Sequence, residues 1–343
     1  MNIREGGCIL VAAVAIVALL APASALAGEK LPKPPDTTPT APPPPSPAPP
    51  EQPPAAETSL ALKLKGERGG KVRVGKRVRV LGTMHPWRPD QEVTVALGRG
   101  DRTLKRQQVP VTAAKDNTGQ FAFKSPKLVA PGRYQVTAAH SGNTMVARAS
   151  ASSGKFKIRY PSLHHGSKGK SVRLFNHLLD KEGYVPSNGR RYTSRSGRAV
   201  IAYRKVHGMA RITRATPGIF KTLADGRGAY KLKYPRAGKH AEVSIGRQVL
   251  VLADNGKAQR TYHVSTGAPG TPSDRGHFRF YRRQPGYNSL RMYFSVYYNR
   301  GEAVHGYSSV PKGPASHGCI RTPISDAVSI YNWVRLGMSI YVY

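Results

Sequence analysis

Between Leu60 and Ala138 apolar residues recur at every second position, and turn residues cut the pattern into short pieces. Leu60, Leu62 and Leu64 alternate, as do Val72 and Val74, Val78 and Val80, and Val93, Val95 and Leu97; Phe121 and Phe123, then Tyr134, Val136 and Ala138 follow. Gly69-Gly70, Arg88-Pro89-Asp90, Asp116 to Gly119 and Ala130-Pro131-Gly132 separate the pieces. A period of two puts alternate side chains on one face of a strand, so this stretch predicts an antiparallel β-sandwich over residues 58–160. It has no cysteine pair to staple it, and Trp87 reads as core or turn packing. Nothing in it suggests catalysis; a spacer or a binding module is what the pattern supports.

Upstream the chain reads as delivery equipment. Arg4 opens a short polar region, Cys8 to Leu20 is apolar, and Ala25-Leu26-Ala27 has the small-x-small form of a signal-peptidase site. The apolar run falls short of the roughly 20 residues of a membrane span. Cleavage after Ala27 is expected, with an uncleaved anchor as the alternative; no stable transmembrane span is expected once the leader is removed. The residues before Cys8 do not form a lipoprotein site. A proline-dense tract follows over residues 28–57, extending at about 3.1 Å per residue as a spacer.

Composition matters at this point. The chain has 54 Lys+Arg against 18 Asp+Glu, a net charge of +36. Such charge implies anionic partners, but the basic residues are spread along the whole sequence without a nucleic-acid motif, and export argues against a genomic partner. No nucleic-acid partner is expected. Export also leaves one thiol, because removing Cys8 leaves Cys319 alone.

From Ser171 the period changes. Val172, Phe175 and Leu179, with Leu174 and Leu178, fall at helical spacing, and Gly183 stops that helix. A second helix is predicted over 197–206 and a third over 217–223. His164-His165 in the preceding linker reads as a solvated pair. From Lys239 the chain is β-rich again. Val249 to Leu252 is a strand, Asp254-Asn255-Gly256 a hairpin turn, and Tyr262 with Val264 the return strand. Met292, Phe294, Val296 and Tyr298 alternate; Ile324, Val328, Tyr331 and Val334 give one late helix; Met338, Ile340 and Val342 give a last strand.

The sequence VHGYSSVPKGPASHGCIRTP, Val304 to Pro323, holds the chemistry. A nucleophilic cysteine needs a base and donors for the oxyanion. His305 ends a strand pattern, and the Gly- and Pro-rich loop to Ala315 can double back to bring Cys319 near it. Gly318 lets backbone approach a substrate, and Arg321 alternates with Cys319 so that it can face the same cleft. Other readings compete: core packing of the His-Cys pair, a zinc site of His305, His317 and Cys319 completed by His263 or His277, His317 as a loop-ordering residue, and a solvated Arg321.

The same string resembles the active-site motif of the YkuD-type L,D-transpeptidases: His-Gly, a short loop, then Ser-His-Gly-Cys, an apolar residue and Arg or Asn. VSIGRQVLVLADNGKAQRTYHVSTGAPGTPSDRGHFRF resembles that family's opening hairpin and its Thr-Pro-x-Gly-x-Phe turn, here longer by one residue pair. The resemblance covers residues 238–343 and implies Cys319 as nucleophile and His305 as the proton donor and acceptor. It implies Gly306, Ser316, His317 and Gly318 as oxyanion and site-ordering positions, and Arg321 at a substrate contact. It implies no metal and no cofactor. The implied reaction is acyl transfer between peptidoglycan stem peptides, one as donor and one as acceptor, giving 3-3 cross-links. A carboxypeptidase or hydrolase using the same site, and a non-catalytic wall-binding protein, are the alternatives. Residues 161–237 resemble the small helical peptidoglycan-binding domain, departing from it at Phe175 and at Arg211 to Arg214. The charge then suits anionic cell-wall polymers, and the location expected is extracytoplasmic. The fold expected is multidomain and mainly β: an immunoglobulin-like sandwich, a small helical domain, and a β-rich catalytic domain with one late helix.

Overall fold

A computed structural model describes residues 53–343. The expected leader and most of the proline-rich tract lie outside the described residues. Residues 53–343 cluster as one compact unit, mainly β.

The first ten strands are β1 (Ser59–Lys65), β2 (Lys71–Arg73), β3 (Arg79–His85), β4 (Glu92–Arg99), β5 (Arg102–Pro110), β6 (Thr112–Ala113), β7 (Gly119–Lys124), β8 (Arg133–His140), β9 (Ala149–Ser152) and β10 (Phe156–Arg159). They form two sheets, ordered β1-β3-β7-β6 and β2-β10-β8-β4-β5, with β9 on β8. The alternating residues from both sheets meet in one core: Val72, Val80, Val95, Phe123, Tyr134 and Val136 are all buried. The pairing is antiparallel except for β2, which runs parallel to β10. Trp87 packs against this core, and its indole nitrogen donates to the Val111 carbonyl at 3.3 Å.

Three helices follow: α1 (Lys170–Lys181), α2 (Ser194–Val206) and α3 (Pro217–Ala224). The Thr216 hydroxyl caps α3 by accepting from the Ile219 amide, with Pro217 at the first turn. Phe175, Leu179, Tyr192 and Phe220 belong to the same contiguous apolar cluster as the sandwich core, and Tyr160 lies 5.5 Å from Phe220 ring to ring. The sandwich and the helices are therefore packed on one another.

The C-terminal part has strands β11 (His240–Ser244), β12 (Val249–Asp254), β13 (Lys257–His263), β14 (Gly276–Arg279), β15 (Arg282–Tyr287), β16 (Tyr293–Asn299), β17 (Glu302–Tyr307) and β18 (Ile320–Pro323). Helix α4 (Ile324–Trp333) and strand β19 (Ser339–Val342) complete it. One sheet runs β13-β12-β11-β19-β14 and the other β15-β16-β17-β18. Val243, Leu250, Val296, Val304, Ile320 and Ile340 share the core. Asn255 and Gly256 take φ of 50° and 69°, which the tight β12–β13 turn requires.

Two local expectations need correction. The face of α4 turned inward carries Asp326, Ala327 and Ile330, while Val328 is 37% exposed. The alternation expected along β16 is broken by a register shift between Tyr293 and Val296, where Phe294 takes φ of 49° and is only half-buried. No helix among the described residues is long and apolar enough to cross a membrane.

Candidate active site

Strands β17 and β18 run parallel, with Val304 opposite Ile320 and His305 opposite Arg321. The loop 308–319 makes the crossover. His305 thus lies within a strand rather than at its end. Cys319 sits immediately before β18, packed against Met292, Tyr297 and Ala303. Gly306 is required where it is: a Cβ there would stand 2.7 Å from the Ala327 Cβ, so only glycine lets α4 approach β17. Gly318 has φ of 109°, a conformation that favours glycine.

The loop is held by the segment 265–276. The Ala315 and Ser316 amides donate to the Thr266 carbonyl at 2.8 and 3.0 Å. The Ser316 carbonyl accepts from the Ala268 amide at 2.8 Å and the Thr271 hydroxyl at 2.9 Å. The Ser273 hydroxyl donates to the Gly318 carbonyl at 2.5 Å, and the Ser316 hydroxyl to the Cys319 carbonyl at 2.5 Å. In a trans peptide the N–H points opposite the C=O. Pinning the Ser316 and Gly318 carbonyls therefore aims the His317 and Cys319 amides the other way. Among the described residues the amides of His317, Gly318 and Cys319 donate to no protein acceptor, which is the state an oxyanion pocket needs.

His305 is 3% exposed, and its Nδ1 lies 3.0 Å from the Gly306 carbonyl. A carbonyl only accepts, so Nδ1 carries the proton and Nε2 is the unprotonated nitrogen. Burial pulls this imidazole down to about 4; the Gly306 carbonyl opposes the shift and the Arg321 charge adds to it. Burial also pushes the Cys319 thiol above its ordinary value, against the Ala303 amide, with Glu302 raising it and Arg321 lowering it. Both shifts favour a neutral resting pair of thiol and imidazole.

The remaining expected residues are dispersed in role. Arg321 donates from Nη1 to the Ala315 carbonyl at 3.1 Å, and its guanidinium stacks 4.4 Å from the Tyr307 ring centre. It braces the loop and keeps other donors unspent. His317 is exposed. His277 bonds the Ser339 hydroxyl and stacks on Tyr341 at 4.4 Å, in the other sheet. Among the described residues no three His, Cys, Asp or Glu side chains come together as a metal-binding group, so the zinc alternative lacks its ligand set.

Sequence reasoning missed a buried strut that reaches this loop from α2. The Lys205 Nζ donates to the Gln248 and Val264 carbonyls, each at 2.9 Å, and to His263 Nδ1 at 2.7 Å. His263 Nε2 then donates to the Val310 carbonyl at 3.1 Å. Arg211 adds a bond to the Lys312 carbonyl at 2.6 Å. Burial draws Lys205 down to about 6 and His263 to about 3, while the three acceptors around Nζ match the three donors of an ammonium. The helical segment thus holds the crossover loop between His305 and Cys319.

Residues 238–342 match the family model described as YkuD, L,D-transpeptidase catalytic domain. Among solved structures, the chain is similar to the L,D-transpeptidase from Xylanimonas cellulosilytica, with 28% identity over 54% of this chain and 98% of that one, at a TM-score of 0.49. It is similar to the L,D-transpeptidase from Stackebrandtia nassauensis, with 18% identity over 53% of this chain and 94% of that one, at a TM-score of 0.33. The L,D-transpeptidase from Mycobacterium smegmatis shares 14% identity over 83% of this chain and 99% of that one, at a TM-score of 0.28. No curated protein matches the chain.

Proposed function

Residues 238–342 being an L,D-transpeptidase catalytic domain of the YkuD family, we propose that the protein is exported and forms 3-3 cross-links in peptidoglycan through a thioacyl-enzyme on Cys319. The observation that carries this reading is the His305 tautomer: Nδ1 is committed to the Gly306 carbonyl, which leaves Nε2 with a free lone pair on β17, the strand paired with the β18 that Cys319 precedes.

The neutral pair sets the order of events. The thiol proton passes to His305 Nε2 as the sulfur bonds to the carbonyl carbon of the third residue of a tetrapeptide stem. The amides of His317, Gly318 and Cys319 receive the oxyanion. The carbon–nitrogen bond to the terminal D-alanine breaks, and the leaving amine takes the proton from His305. An amine of a second stem then attacks the thioester, the carbon–sulfur bond breaks, and a proton returns through His305 to the sulfur. The steps balance in protons and electron pairs without a cofactor.

Mass spectrometry of the mature protein incubated with a disaccharide-tetrapeptide tests this. A dimer formed with loss of D-alanine is expected; tripeptide alone would reassign the protein as a carboxypeptidase. A carbapenem is expected to add to Cys319, and an adduct mapped elsewhere would remove the mechanism. The charge and the leader support a place in the wall. Binding to isolated walls should weaken as salt rises, and salt-independent binding would break that part of the reading.

A further inference from the structure

Two carboxylates meet beside the nucleophile. One, Glu302, opens β17; the other, Asp274, belongs to the lengthened turn before β14. Glu302 Oε1 accepts from the Asp274 amide at 3.0 Å. Asn299 Nδ2 donates to Asp274 Oδ2 at 2.7 Å and to Glu302 Oε2 at 3.4 Å. A Cβ on Gly318 would stand 2.9 Å from Glu302 Oε1, so this carboxylate lies against the backbone just before Cys319. The thiol itself packs on the same turn, its Sγ 3.8 Å from the Gly301 carbonyl.

In a chain of net charge +36, neither carboxylate has a cationic partner among the described residues. Burial raises the Glu302 carboxyl; the Asp274 amide, Asn299 and the Tyr298 hydroxyl oppose the shift as donors, and the Asp274 charge adds to it. Beside them stands a second, independent feature. Tyr298 is 3% exposed, and its hydroxyl lies against the Glu302 carboxylate without a well-aligned hydrogen bond to any described residue. Burial first, then the charges of Glu302 and Cys319, the contact with the Glu302 carboxylate and the charge of Asp274, push that phenol well above its ordinary value. Two carboxylates without a cation and a buried hydroxyl turned towards one of them complement a compact cation with several N–H donors, which is an ammonium group.

We propose that Glu302, Asp274 and Tyr298 form the acceptor subsite, receiving the protonated primary amine of the incoming acyl acceptor and holding it beside the Cys319 thioester. This rests on the transpeptidase reading above and adds to it the groups that select the acceptor. The ammonium gives one proton to the Glu302 carboxylate and becomes the nucleophile. Its nitrogen bonds to the thioester carbon, the carbon–sulfur bond breaks, and a second proton passes through His305 to the sulfur. The products are the amide, the free thiol and a protonated Glu302, which releases its proton to solvent.

The test separates the two half-reactions in the full mature protein. Acylation of Cys319 by a carbapenem is followed by mass, and transfer from a tetrapeptide donor is followed with two nucleophiles: a stem peptide with a free side-chain amine, and methoxyamine, which is uncharged at neutral pH. Glu302→Gln is expected to raise the KM for the charged acceptor about tenfold, to leave the KM for methoxyamine nearly unaltered, and to acylate no more slowly. Asp274→Asn is expected to act in the same direction by less. An equal rise for both nucleophiles, no rise for either, or a rise in donor KM instead would overturn the subsite while leaving the transpeptidase reading intact. No adduct on Cys319 of the unsubstituted protein would overturn both.

Discussion

Two buried imidazoles within the catalytic domain, His305 and His263, differ in how many nitrogens they have committed. Burial pulls both below 6.5, to about 4 and about 3. His305 commits one nitrogen, to the Gly306 carbonyl. His263 commits both, receiving from Lys205 and donating to Val310. A neutral imidazole has one donor and one acceptor. With the acceptor free, the ring can take a proton; with both used, it can only hold two other groups in place. The unspent lone pair, and neither burial nor basicity, separates a base from a strut.

The sharpest test is substitution at the free nitrogen and its partner. Cys319→Ala is expected to abolish thioacyl formation, and His305→Ala to slow it by about a thousandfold, with melting temperatures close to the parent. Single-turnover acylation beside thermal melts reads both, and a His305→Ala enzyme of near-normal rate would end the distinction.

The strut should fail differently. His263→Phe leaves one buried Lys205 N–H without its acceptor, so a loss of about 1–3 kcal/mol in urea unfolding is expected. Turnover of the folded fraction should fall by about tenfold, as the loop carrying Cys319 loosens. Adding Lys205→Met should recover part of the lost stability; strict additivity of the two changes would show that the pair does not act as a unit.

The pH dependence separates the rings more finely. Each folded value lies below the ordinary 6.5, so protons bind the unfolded chain better. Stability from these groups is full above 6.5 and is lost as pH falls towards 4 and 3, at up to about 1.4 kcal/mol per pH unit for each ring. On the proposed mechanism the acid limb of activity comes from His305 and is expected near pH 4. His263→Phe should lessen the stability slope without moving that limb. A limb at 6.5 in the parent would mean that the imidazole is not held neutral by burial.

The smallest effect is expected at the rim. Arg211→Ala removes the bond to the Lys312 carbonyl, and about 1 kcal/mol or less of stability should go with it, read as a small shift in melting.

The sequence made the sandwich legible because one face of each strand is buried, so period two survives in Val93, Val95 and Leu97. It made Cys319, His305 and the two site glycines legible because they lie within one short string. It mislaid the inward face of α4, because Ala327 there is chosen for closeness to Gly306 rather than for size. Ser273, Glu302 and Lys205 escaped because distant segments deliver them: Ser273 is 45 residues from Gly318, and Lys205 is 58 from His263. The visible clue to the strut was a lysine inside the run Ala199 to Val206, where Arg204 is the one other charged residue, and its meaning depended on a strand that periodicity cannot place.

The position of β19 has a kinetic consequence. It lies between β11 and β14, parallel to β11, so that His240 pairs with Ser339 across nearly the whole catalytic domain. Closing so long a loop comes before most of its contacts can repay the lost chain entropy, and topologies of this kind nucleate slowly. Refolding of residues 238–342 should therefore be limited by the meeting of their two ends, and the thiol should gain its protected surroundings only in the last cooperative step. The rate at which Cys319 becomes inaccessible to an alkylating reagent would then report completion of the sheet.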